Sequence, residues 1–239
     1  MKALVCRELL RSRRVVIYSL VGALSASLLF ILVALSFRVG NLTLLPDDIR
    51  EGFFDLNNSV SLPLMAFLSG MPMLSAASAD SESDRLWRMF RKSTPVTPLK
   101  FSGAKYIMLG CRFLLSLVCA FLLSWLFCLA ADIPFSLETA ATALGYVEAV
   151  LVLSVVFQVM QSFLRASGDK VGLIMVGIIV MPISIIGVYS TENEIDLGIS
   201  ADKIAEQCVT LFPFTLLILA VIFGVGLLLT AAAYKRREK

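Results

Sequence analysis

Long apolar runs separated by short charged segments organise this chain. Six runs are long enough to cross a membrane: residues 15–37, 59–79, 103–130, 139–164, 171–190 and 208–233. At about 1.5 Å per residue, about 20 apolar residues in a helix span a hydrocarbon core roughly 30 Å thick. The pattern predicts an all-α integral membrane protein with six transmembrane helices, forming one transmembrane domain over residues 1–239.

Two charged segments carry helical patterning of their own. In residues 1–14, MKALVCRELLRSRR, a helical wheel puts Ala3, Val5, Cys6, Leu9 and Leu10 on one face and Arg7, Arg11 and Arg14 on the other, with Leu4 the misfit. Such a helix lies in the headgroup layer with its arginines toward anionic phosphates, and this interfacial reading is preferred to a basic start that only fixes topology. The second segment is the loop at residues 80–102. There Asp84, Arg85, Leu86, Trp87, Arg88, Met89, Phe90 and Arg91 suit a short helix, with Leu86, Met89 and Phe90 at i, i+3 and i+4. Asp84 suits the positive end of its dipole, Arg91 and Lys92 the other end, and Pro95 stops it. This helix is either a docking surface or a lipid anchor held by Trp87 and the arginines.

The second run holds Pro63, Gly70 and Pro72, which predict a kink, and ends in small residues from Ser75 to Ala79 that permit close helix packing. The run at 208–233 follows an acidic segment, TENEIDLGISADKIAEQ, expected to end in a short helix at the membrane surface.

Charge gives the orientation. Of 21 Lys and Arg, five lie before residue 15, six between Asp80 and Tyr106, two in RASGDK and four in the tail. Arg112 lies inside a span, and only Arg38, Arg50 and Lys203 fall on the opposite side. Basic residues collect on the cytoplasmic side, so both termini are expected there.

Composition removes whole classes of function. The 239 residues are 58% hydrophobic and 16% charged, against about 25% charged in soluble domains. The basic residues flank spans and form no nucleic-acid footprint. Five cysteines show no C-x-x-C spacing, and no metal site is expected. The absence of histidine removes Ser/His proteases, zinc proteases and most haem or copper proteins. No G-x-x-x-x-G-K-[ST] occurs, so the chain has no P-loop and is not expected to be an enzyme.

Beyond Lys105 at the mouth of the third run, two charges sit deep within the runs, at Arg112 and Glu148, and an intramembrane charge costs roughly 2.5–3.5 kcal/mol on insertion scales. Glu148, Ser154, Gln158, Gln161, Ser162 and Arg165 gather along one side of the fourth run. That stripe either lines a polar passage or supplies hydrogen bonds between helices. Arg112 is expected to snorkel to the interface or to pair with Glu148.

The basic amphipathic start, the six runs and the loop after the second, with Thr94-Pro95-Val96-Thr97 leading to Lys105-Tyr106, resemble the type-2 ABC exporter permeases. The resemblance covers the layout of the whole chain. It implies a permease subunit in the bacterial cytoplasmic membrane that moves a drug-like, peptide or lipid substrate outward. A second permease copy or paralogue would pair with it. A separate ATPase subunit, which binds the ATP and Mg, would dock on Asp84–Arg91, and this chain itself would hold no cofactor. Residues 1–14 would be the connector helix, and the acidic segment before the last run would cap the cavity from outside. Two other readings remain open: an ion-coupled carrier using Glu148, and an immunity protein against a bacteriocin or antimicrobial peptide.

Overall fold

A computed structural model describes residues 2–38, 61–75, 97–164 and 201–236, with side chains of the last segment described from Thr215 onward. These residues form five helices: α1 Lys2–Arg38, α2 Ser61–Ser75, α3 Pro98–Ala131, α4 Leu137–Leu164 and α5 Ala201–Arg236. No strand occurs among the described residues. Four helices are long and apolar enough to cross a membrane, through Ser12–Ser36, Pro98–Ala131, Thr139–Phe163 and Thr215–Arg236, while α2 is apolar but shorter. This is the architecture of an α-helical membrane protein. The run at 171–190 and the segment 76–96 lie outside the described residues.

Local chemistry sets the ends of α3. Thr97 is extended (φ −66°, ψ 143°), as the residue before a proline must be, and Pro98 takes the first helical position, where its missing N–H leaves nothing unpaired. The helix stops at Asp132, which is left-handed at φ 61°, and the Ile133 N–H donates to the Cys128 carbonyl at 2.9 Å. Ser136 then opens α4 by accepting the Thr139 N–H at 3.1 Å. So short a link makes α3 and α4 antiparallel neighbours.

Packing gives the remaining directions. Leu4, near the start of α1, packs on Phe101 near the start of α3, and Ala34 near the end of α1 clusters with Phe127, Ala130 and Ala131 near the end of α3. The two helices therefore run parallel. Helix α5 runs the other way, because Tyr234 near its end also packs on Phe101. The first turns of α1 and α3 and the last turns of α5 thus meet at one end of the bundle. Lys2, Arg7, Arg13, Arg14, Lys100, Lys235 and Arg236 are exposed at that end. Helix α2 packs by close approach: a Cβ on Gly70 would stand 2.8 Å from Val150 Cβ, so only glycine lets this helix lie so near α4. Met73, Tyr106, Leu109, Val147, Val150 and Val155 fill the core between α2, α3, α4 and α5.

Three boundaries differ from the sequence reading. The expected division near residue 14 is absent, and α1 is a single helix from Lys2 to Arg38, since its first 20 residues contain neither glycine nor proline. The loop expected at residues 80–102 gives way to helix at Pro98, which brings Pro98–Ser102 into α3. The last helix starts at Ala201, joining the expected surface helix to the span.

The burial pattern inverts that of a soluble helix. On α1 the buried positions include Ser12, Ala23, Ser27 and Ala34, while Ile17, Tyr18, Val21, Leu24, Leu28 and Leu32 are exposed. Lipid accepts the apolar side chains, and small residues let α1 approach its neighbours closely.

Candidate functional site

Among the described residues, a polar and aromatic cluster lies at the basic end, where α3 meets α5. Phe101, Lys105 and Tyr106 all point inward from the first turns of α3 and are buried. Lys105 Nζ donates to Tyr234 Oη at 3.2 Å and stands 5.1 Å from the Phe101 ring centroid and 5.8 Å from that of Tyr234. The two rings meet edge to face at 4.8 Å. A buried ammonium is tolerated here because a hydroxyl and two aromatic rings replace part of its hydration. One residue on, Tyr106 Oη shares a 3.2 Å hydrogen bond with Thr230 Oγ1, and its ring lies 5.0 Å from that of Phe223. Gly226 makes room for it: a Cβ there would stand 2.7 Å from Tyr106 Oη and 2.5 Å from Val155 Cγ1. The Lys105-Tyr106 pair therefore fastens the start of α3 to the last three turns of α5, and Leu4 adds α1 to the same joint.

The two charges within the apolar runs have separate partners. Arg112 is buried and donates from Nη2 to Ser12 Oγ at 2.6 Å; Ser12 in turn donates to the Glu8 carbonyl at 2.8 Å. Glu148 is buried on α4 and its Oε1 accepts from Thr215 Oγ1 on α5 at 3.5 Å. Arg112 thus bridges α3 to α1, and Glu148 bridges α4 to α5, rather than the two pairing with each other, one of the two alternatives for Arg112.

The rest of the α4 stripe is largely inward. Ser154 and Gln158 are buried and Gln161 is half-buried, while Arg165 lies outside the described residues. Ser154 and Ser162 donate to the carbonyls of Val150 and Gln158 in their own helix, each at 2.8 Å. Gln158 Oε1 has no partner among the described residues. Among those residues, no three Cys, Asp or Glu side chains converge on a point that would hold a metal ion.

Arg7 and Arg14, expected to face lipid phosphates, are exposed; the side chain of Arg11 is outside the described set. Leu9 and Leu10 are exposed beside them, at 50% and 62%. The expected docking helix, Asp84, Arg85, Leu86, Trp87, Arg88, Met89, Phe90 and Arg91, lies outside the described residues. Sequence reasoning missed Thr215 and Thr230, which looked like ordinary span residues, Ser12 in the interfacial segment and Tyr234 at the start of the basic tail. Their signal was faint: each is a hydroxyl that can reach a charged or phenolic group on another helix.

Comparison with known proteins gives no match among family models, curated proteins or solved structures.

Proposed function

We propose that this chain is the membrane-spanning permease subunit of an ATP-driven ABC exporter, with both termini in the cytoplasm. It moves a drug-like, peptide or lipid substrate outward and works as a pair with a second permease copy or paralogue. Energy enters from a separate ATPase subunit docked on Asp84–Arg91, since the chain carries no P-loop. The sequence resemblance supports this reading, and one structural observation carries it furthest. The element that follows the docking segment begins as rigid helix at Pro98, and within three turns it grips α5 through Lys105 and Tyr106 and α1 through Phe101. A push delivered to Pro98 would reach the first and last helices through the contacts of α3.

The test is the double variant Trp87→Ala/Phe90→Ala in membranes that also hold the ATPase subunit. Loss of ATP-dependent transport with the permease still folded is the expected result. Coupled transport at the unmodified rate would reject the docking assignment.

A second reading, an ion-coupled carrier, draws support from the buried carboxylate of Glu148. It requires transport to follow a proton gradient without any ATPase, which uptake into vesicles energised by either source distinguishes.

A further inference from the structure

At the basic end, beside the Lys105–Tyr234 joint, the surface carries a cleft of about 330 Å³ lined by Thr97, Pro98, Leu99, Ala231, Ala232 and Lys235. Sequence explains the hollow. Thr230 to Ala233 is a run of four small residues on α5, and opposite them α3 begins abruptly at Pro98, so neither helix has bulk to fill the space between them. The lining is apolar apart from Thr97 and Lys235. Leu99 is 54% exposed at its edge.

Position and charge identify the occupant. The cleft lies where two membrane spans, Pro98–Ala131 and Thr215–Arg236, reach the same end. In a membrane crossed by these two spans, alanine walls near their ends would lie against acyl chains just below the headgroups. Lys235 lines it, Lys100 and Arg236, next in sequence to lining residues, are exposed, and among the described residues no side chain caps the positive dipole end of α3. Basic pockets between spans on the cytoplasmic side suit lipid phosphates.

We propose that this cleft seats one anionic phospholipid, with its phosphate against Lys235 and an acyl chain lying along Ala231 and Ala232. The apolar walls fit a lipid better than a free phosphate, and the single lysine at the headgroup level favours an anionic lipid over a zwitterionic one. The proposal rests on the membrane architecture and is independent of the exporter reading.

The experiment uses the full-length chain, purified in detergent micelles doped with dioleoyl phosphatidylglycerol or with the phosphatidylcholine of the same acyl chains. Native mass spectrometry counts retained lipid, and thermal unfolding reports its effect. The wild-type chain is expected to retain one phosphatidylglycerol and to unfold at a higher temperature with it than with phosphatidylcholine. Lys235→Gln should weaken retention about fivefold, the effect of one basic side chain at an anionic surface. Ala232→Trp fills an exposed groove position and should abolish retention while leaving lipid-free unfolding unchanged. Should Ala232→Trp misfold, Lys235→Gln alone still decides. Equal retention of both lipids, or wild-type retention by Lys235→Gln, would overturn the proposal. So would stabilisation by soluble glycerol phosphate alone, which would assign the cleft to a free phosphate. Lipid-independent self-association lost in Ala232→Trp would assign it to a second copy and also overturn it.

Discussion

Arg112 and Ser12 are joined by a buried hydrogen bond of 2.6 Å, which fixes the depth of the guanidinium. Ser12 is the first residue of the α1 span and stands beside Arg13 and Arg14, both exposed. Arg112 lies 14 residues into α3, roughly 21 Å along the helix, and is tied there to the start of the α1 span. A hydrogen bond to a charged group is worth about 1.5–3 kcal/mol. Ser12→Ala should lower unfolding free energy by that amount, and Ser12→Ala should add almost nothing in an Arg112→Ala background. Additive effects in denaturant titrations would show that the two residues act independently.

The glycines separate close approach from mere presence. Gly226→Ala puts a methyl into contact distances of 2.5 Å and 2.7 Å with Val155 and Tyr106, and overpacking of this kind costs about 1–3 kcal/mol. Gly22 and Gly224 have nothing within 4 Å of the added Cβ, so alanine there should be neutral or stabilising by up to about 1 kcal/mol through helix propensity. Pairing Gly226→Ala with Val155→Ala should recover part of the loss. Thermal unfolding of the four variants checks the order.

At the Lys105 joint, Tyr234→Phe removes the hydroxyl that accepts from Nζ but keeps the ring that meets Phe101. A modest destabilisation of about 1–2 kcal/mol is expected, since the two ring contacts to the ammonium remain. Tyr234→Ala removes both and should destabilise by more than 3 kcal/mol, about the loss seen when a large buried aromatic is truncated. In the exporter reading, Tyr234→Phe should also reduce transport per ATP hydrolysed, whereas a purely structural joint would leave that ratio unchanged.

Glu148 separates the two functional readings. Gln keeps an acceptor for the Thr215 hydroxyl but cannot take up or release a proton. Glu148→Gln should therefore leave stability within about 0.5 kcal/mol of wild type and leave ATP-driven transport intact. Abolished transport with a folded protein would favour the ion-coupled carrier.

The sequence disclosed the spans more readily than their faces. Uniform hydropathy marked residues 103–130 and 139–164 to within a few residues of α3 and α4, because lipid demands long apolar runs whatever their packing. The buried faces were harder to read because the usual rule reverses in lipid. Leu4, the misfit of the helical wheel, is the residue that packs on Phe101 and Tyr234, while Leu9 and Leu10 from the expected apolar face stay exposed. Lys105-Tyr106 could be singled out as a pair, but their partners Tyr234 and Thr230 lie more than 120 positions away, and no local pattern links them. Glu148 was visible as an isolated charge, yet Thr215, its hydroxyl partner, resembles any other polar residue at the edge of a span.

Orientation yields the most decisive prediction, because it bears on every functional reading. The first turn of α1 and the last turns of α5 share one end, which carries the exposed basic residues, whereas the α3–α4 link lies at the other end. Cys6 is exposed at the basic end, and Leu137, 73% exposed, stands next to that link. In a chain whose only cysteine is Cys6, a membrane-impermeant maleimide should react in inside-out vesicles and not in intact cells. With Leu137→Cys as the only cysteine, the pattern should reverse. Both positions are on the protein surface, so silence of either from both sides would mean cover by lipid or by a partner rather than the wrong side. If Cys6 labelled from outside intact cells, the basic end would face away from the cytoplasm, no cytoplasmic ATPase could reach the segment before Thr97, and the exporter reading would fall.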